Sequence, residues 1–276
     1  MRNKVVRFIK YPLYPITQSW IENFMVKIRF GGIIRCTVCG NFAPIYIQGE
    51  NLRETCLCFC CKSTNRQRAL AYVTSSIVSG IENRCVSSLR AFTKISSVTI
   101  YNTEAKGAIH NQLSKVENYS CSEYLETSYK SGEIINGIMH QDLMCLSFAD
   151  ESFDLVLSGD VFEHVPDPYK AHQEVHRVLK AGGRHIFTVP FYQMEFLDED
   201  RVVIGEDSHP VFLKPPIYHV DPLRPEGALV YKIFSLEMLV RLREIGFRTA
   251  LYHLHSYRHG ILGSNAIVFE AVKTMP

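Results

Sequence analysis

Neither sign of charge prevails in this chain. Thirty Lys and Arg against 28 Asp and Glu leave a net +2 at pH 7, so the field of the whole molecule selects no partner. Long apolar runs are absent too. None reaches the roughly 18 residues that would cross a bilayer. The first residues lack the small-residue cleavage site that follows the apolar core of a secretory signal. Nine cysteines are present, but they are not spread in pairs as a small disulfide scaffold would need. Together these absences argue against a membrane-spanning or disulfide-stapled protein and predict a cytoplasmic setting. The chain is long enough for one substantial domain plus a small appendage, and sixteen Phe support a real core.

Residues 1–31 are basic and aromatic. Ile16, Trp20, Phe24 and Ile28 recur at helical spacing, which predicts a helix over Ile16–Phe30. Its basic residues form no continuous polar face, so we expect it to pack on the main domain rather than lie on a membrane.

Residues 32–66 hold six of the nine cysteines. Cys36/Cys39 and Cys58/Cys61 form two C-x-x-C pairs about twenty residues apart. Thiolates presented from two tight turns suit a tetrahedral structural Zn²⁺, and such a closed site has no catalytic position. Either Cys56 or Cys60 could substitute for Cys58 or stay free. The third predicted unit spans residues 67–276. It opens with a helix over Gln67–Ile81, followed by a strand over Ser97–Asn102, a helical stretch to Lys115 and a strand over Asn118–Ser122. A third short strand is expected over Gly137–His140. Phe153–Ser158 reads as a buried strand. Pro168 starts a helix to about Leu179, with Gly182 and Gly183 stopping it, and Arg184–Pro190 is the next strand. After an irregular Pro-rich segment come a helix over Leu236–Ile245 stopped by Gly246 and a closing antiparallel pair, Phe247–Leu254 with Asn265–Val272. Strands alternating with helices predict an α/β fold with an open, mostly parallel sheet and helices on both faces.

One stretch carries a family resemblance. Asp142-Leu143, Ser147-Phe148-Ala149-Asp150, Phe153-Asp154-Leu155-Val156, Val161-Phe162-Glu163-His164-Val165, Glu174 with Arg177-Val178-Leu179, and Gly182-Gly183 together resemble the class I S-adenosylmethionine-dependent methyltransferases of the type-11 group. With the upstream cysteines and Tyr218-His219-Val220-Asp221-Pro222, the chain is similar to a bacterial subgroup with a four-cysteine knuckle. The resemblance implies a Rossmann-like sheet of seven strands and S-adenosylmethionine as methyl donor. It implies that Glu123 accepts hydrogen bonds from the ribose hydroxyls, that Asp142 meets the adenine amino group and that Leu143 packs on the ring. The turn Asn102-Thr103-Glu104-Ala105-Lys106-Gly107 would border the cofactor, with Glu104 near the methionine moiety, as would Ser158 and Gly159. That turn keeps only Gly107 of the family's glycine-rich pattern.

Methyl transfer to a hydroxyl or ammonium needs a base as well as alignment. His164, and His219 with Asp221 as its orienting carboxylate, are the candidates. His209, Tyr192 and Tyr218 are candidates to line the acceptor pocket. With no concentrated basic groove in the catalytic half, the expected acceptor is oxygen or nitrogen of a small metabolite or sugar-containing product. A nucleic acid or protein acceptor gripped by the knuckle is the alternative, and a non-catalytic binding module is a third.

Overall fold

The computed structural model describes residues 29–95, 97–207, 209–221 and 224–274. Most of the helix expected over Ile16–Phe30 lies outside them. Its last two residues do not fit the expectation, because Arg29 and Phe30 open strand β1 (Arg29–Arg35). The Gly31-Gly32 pair gives that strand a bulge before its register with β2 (Phe42–Ile47) resumes.

β1, β2 and β3 (Cys56–Cys58) form a small antiparallel sheet. The single-turn helix α1 (Leu52–Thr55) lies between β2 and β3. Two turns at the same edge present the cysteines. In each, the N–H four residues on closes onto the first cysteine's carbonyl: Gly40 to Cys36 at 2.8 Å and Lys62 to Cys58 at 2.9 Å. Gly40 and Lys62 both have positive φ, so the two turns repeat one local geometry. Helix α2 (Asn65–Glu82) follows, started by a capping box between Thr64 and Gln67. Its Arg68 is fully buried and donates to the carbonyls of Ser63 (2.6 Å), Cys56 (3.2 Å) and Gly260 (2.7 Å). Cys36, Cys39, Cys56 and Cys58 share one apolar cluster with Leu70 and Val73 of α2 and with Leu155, Leu157 and Ile186 of the main sheet.

The main sheet contains β4 (Ile100–Asn102), β5 (Tyr119–Cys121), β8 (Phe153–Gly159), β9 (Leu179–Thr188), β16 (Phe247–His253) and β17 (Ile267–Lys273), in the order β16-β17-β9-β8-β4-β5. β4 runs parallel to β5 and β8, and β8 to β9. β17 and β16 close the far edge antiparallel. Helix α3 (Gly107–Leu113) follows β4, α4 (Pro168–Val178) joins β8 to β9, and α5 (Leu236–Ile245) precedes β16. The fold is thus Rossmann-like α/β, with six strands among the described residues rather than seven. The expected third strand is replaced by a two-residue hairpin, β6 (Ile134–Ile135) with β7 (Ile138–Met139), and His140 makes only a single parallel bridge to Glu123. Asn136 and Gly137, both at positive φ, turn the chain back before a strand can extend.

Gly182 and Gly183 also behave differently from expectation. Helix α4 ends at Val178 and the glycines lie inside β9, where the pairing with β8 slips between Phe153 and Leu155. A side chain at Gly183 would sit 2.8 Å from the Lys180 carbonyl oxygen and 3.1 Å from that of Phe153. The glycines therefore permit a bulge, not a helix stop. Between β9 and α5, short paired segments replace long elements: β10 (Glu199–Asp200) with β15 (Lys232–Ile233), β11 (Val202–Ile204) with β12 (Pro210–Phe212), and β13 (Tyr218–His219) with β14 (Ala228–Leu229).

Candidate active site

The strand order reverses between β4 and β8, and in open α/β sheets ligands collect outside the carboxyl ends at such a point. Here a cavity of about 1170 Å³ opens at those ends. The sheet supplies Thr103, Glu104, Glu123 and Gly159 to its wall, the β13–β14 hairpin supplies Tyr218 and His219, and α1 and α2 supply Arg53, Glu54 and Arg66.

Glu104 leaves β4 into the crevice. Asn102 donates to its carbonyl at 2.6 Å and to the Tyr119 hydroxyl at 3.1 Å, fixing the turn that glycines would otherwise shape. Burial pushes the Glu104 carboxyl up to about 7, with nearby Glu123 adding and Arg66 opposing. Glu104 Oε2 and Arg66 Nη1 are both buried, and neither has a hydrogen-bonding partner among the described residues. Between them passes Gly159, where an added Cβ would lie 2.6 Å from Arg66 Nη1 and 3.1 Å from Glu104 Oε2. Behind this pair, Asp160 accepts two hydrogen bonds from the Arg53 guanidinium, one of them at 2.6 Å. Arg66 Nε lies 2.8 Å from Glu54 and 3.3 Å from Asp160. Burial alone would raise the Asp160 carboxyl, but Arg66 and Arg53 hold it well below the usual carboxylate range.

Glu123, just past β5, accepts the Ala105 N–H at 2.9 Å, and burial raises its carboxyl against that bond. Asp142 and Leu143 line the same cavity, and Asp142 caps the Met144 N–H at 2.8 Å. Of the residues expected around a cofactor, Thr103, Glu104, Gly107, Glu123, Asp142, Leu143 and Gly159 reach the cavity wall. Asn102 and Ser158 do not. Asn102 acts on the turn, and Ser158 is buried in the sheet against His185 Nε2 at 2.9 Å.

His164 ends a 3₁₀ turn after β8, and His219 sits on β13. The structure brings them together, with His164 Nε2 and His219 Nδ1 3.2 Å apart. His164 Nδ1 is 2.8 Å from the Leu229 carbonyl oxygen on the neighbouring strand β14. The Glu163 carboxylate lies behind the two rings and raises the His219 imidazole from its ordinary value. Asp221 lines the cavity nearby and is ion-paired with Arg224, which also donates to the Tyr124 carbonyl at 2.6 Å and so fastens the hairpin region over the site. Of the other acceptor-pocket candidates, Tyr218 lines the cavity, whereas Tyr192 and His209 do not. Sequence reasoning missed Arg53, Arg66 and the part played by Glu163. For Glu163, the adjacent His164 was the available signal.

The four knuckle sulfurs lie within 4.8 Å of one another, with Cys36 Sγ and Cys61 Sγ 3.7 Å apart. A tetrahedron of sulfurs at ~2.3 Å from Zn²⁺ has edges of about 3.8 Å, so the donor set fits that ion. Cys60 is exposed, and Cys56 is buried beside Arg68 Nη2 at 3.3 Å.

Residues 109–187 match the family described as "Methyltransferase domain". Among curated proteins, demethylmenaquinone methyltransferase of Staphylococcus epidermidis is 50% identical over 46 residues, 17% of this chain and 19% of that protein. The chain therefore spans about a fifth of the length of that relative. Among solved structures, an S-adenosylmethionine-dependent methyltransferase from Mesorhizobium loti superposes with a TM-score of 0.41 at 16% identity, covering 67% of this chain and 95% of that one. One from Methanosarcina mazei gives 0.39 at 20% identity, covering 66% and 94%.

Proposed function

We propose that this protein is an S-adenosylmethionine-dependent methyltransferase acting in the cytoplasm on oxygen or nitrogen of a small metabolite or sugar-containing product. The observation that carries the reading is the unsatisfied Arg66–Glu104 pair at the switch point of the sheet. An amino-acid moiety presents one carboxylate and one ammonium. Arg66 would donate to the first and Glu104 would accept from the second, satisfying two buried polar atoms at once. Glu123 would accept from the ribose hydroxyls, and Asp142 and Leu143 would hold the adenine. S-adenosylmethionine, when bound, supplies an activated methyl group on a sulfonium. The chain's own task is then alignment and exclusion of water, with His164 and His219 lining the acceptor side of the cavity.

Residues 218–221 and 226–229 line the cavity, which favours an enclosed small acceptor over a polymer. We read residues 67–276 as the methyltransferase unit and residues 32–66 as a knuckle stabilised by a structural Zn²⁺, with β1 drawing Arg29 and Phe30 of the leading segment into the knuckle's sheet. Among the described residues no helix is long and apolar enough to cross a membrane.

Titration calorimetry with S-adenosylmethionine tests the reading. We expect saturable one-to-one binding, weakened at least tenfold in Glu123→Ala. No binding at millimolar cofactor would overturn it.

A further inference from the structure

Glu163 is fully buried, and neither of its carboxylate oxygens has a hydrogen-bonding partner among the described residues. A carboxylate withdrawn from water without a hydrogen bond is costly, and a cation bound beside it would offset that cost. Its Oε1 faces two imidazole nitrogens, His219 Nδ1 at 3.6 Å and His164 Nε2 at 3.7 Å, both beyond hydrogen-bonding length. With the 3.2 Å separation of the two nitrogens, the three atoms form a nearly equilateral triangle.

We propose that Glu163, His164 and His219 bind a transition-metal dication of the Zn²⁺ class, separate from the cysteine site. Ligands at ~2.0–2.1 Å from tetrahedral Zn²⁺ stand about 3.3 Å apart, close to the triangle found. His164 is already set for the role. Its Nδ1–H donates to the Leu229 carbonyl, which leaves the Nε2 lone pair facing the triangle. The hairpin that carries Leu229 also carries His219, since His219 pairs with Ala228. Gly227 holds that turn with φ +85°, and a side chain there would strike the His219 carbonyl oxygen at 2.5 Å. Two nitrogens and one carboxylate select Zn²⁺, Co²⁺ or Fe²⁺ over Mg²⁺ or Ca²⁺.

His164 and His219 line the cavity while Glu163 closes the back. The fourth position therefore opens towards the acceptor space and suits an anionic oxygen or nitrogen ligand. That last assignment rests on the methyltransferase reading; the metal site itself does not.

The test is metal content of the full chain after zinc loading and gel filtration. We expect two zinc ions per chain, falling to one in Glu163→Gln and in His219→Ala. Cys58→Ser should lose the other ion. One ion in the wild type, or two retained in both Glu163→Gln and His219→Ala, would overturn the proposal. Cobalt substitution of the wild type covers the case in which a variant fails to fold. The cysteine site gives intense thiolate charge-transfer bands, and the second site should add weaker visible bands that sodium azide shifts. Absence of the weaker bands refutes the site, and bands indifferent to azide refute its open position. Neither measurement uses S-adenosylmethionine, so failure here is distinct from failure of cofactor binding.

Discussion

Binding of the cofactor should depend on pH through Glu104. In the free protein its carboxyl is raised to about 7, mainly by burial, so it is largely neutral at pH 6. If it receives the ligand's ammonium, the bound state needs the carboxylate, and binding below pH 7 must release a proton. Affinity then rises with pH through the free-protein value and levels off above it. With a free value near 7, affinity at pH 6 should be about tenfold below the plateau, and at pH 5.5 about thirtyfold below it. The useful window is pH 5.5–7.2, because an α-amino group itself titrates near ~8. Calorimetry in two buffers of different ionisation enthalpy should show about one proton released at pH 6. Glu104→Gln removes the titrating group, so its curve should be flat across the window, with affinity below the wild-type plateau. The same shift bears on folding. A carboxyl raised from 4.5 to about 7 withholds about 3 kcal/mol of native stability once pH passes 7, and none below pH 4. Free Glu104→Gln should therefore gain on the wild type as pH rises from 5 to 8. A wild-type affinity that does not change with pH, or a variant with the same slope, would refute the assignment of Glu104 to the ammonium.

Three further outcomes follow from the geometry. Gly159→Ala places a methyl group 2.6 Å from Arg66 Nη1; it should weaken S-adenosylmethionine binding at least tenfold while circular dichroism stays unchanged. Arg68→Met strands three buried carbonyls that Arg68 now serves; urea unfolding should show a loss of about 3–5 kcal/mol. Cys58→Ser, or a strong chelator applied to the wild type, should lower the melting temperature by roughly 10 °C in a thermal scan, and added zinc should reverse only the chelator's effect.

The sheet was largely legible because its strands are short apolar runs set between clear turn signals. Phe153–Ser158 lies within β8, and Leu236–Ile245 is helical to the residue, ended by Gly246 at φ +111°. The glycine pair at 182–183 misled because a helix cap and a strand bulge both need a residue without a side chain. Only the pairing with Phe153 separates the two. The expected third strand failed for a similar reason: Ile134, Ile135, Ile138 and Met139 satisfy strand composition, but the Asn136-Gly137 turn pairs them with one another. Glu104 and Glu123, which the family resemblance pointed to, reach the cavity wall because each follows a strand at the crevice edge. Arg53 was not legible, since its partner Asp160 is 107 residues away and no local spacing encodes that distance. Arg66 was hidden by its place beside cysteines whose chemistry draws the eye to metal.

The arginine floor of the cavity has a bearing on how modular this protein is. Arg53 and Glu54 belong to α1, inside the cysteine segment, and Arg66 is the second residue of α2. A chain trimmed to the α/β unit at residue 67 would discard all three and leave Asp160 without its counter-charges. The cysteine segment is therefore not a detachable handle of the kind that can be exchanged between enzymes to change what they grasp. Grafting it elsewhere, or swapping in another, would mean rebuilding the floor on which the nucleoside's amino-acid tail is proposed to rest.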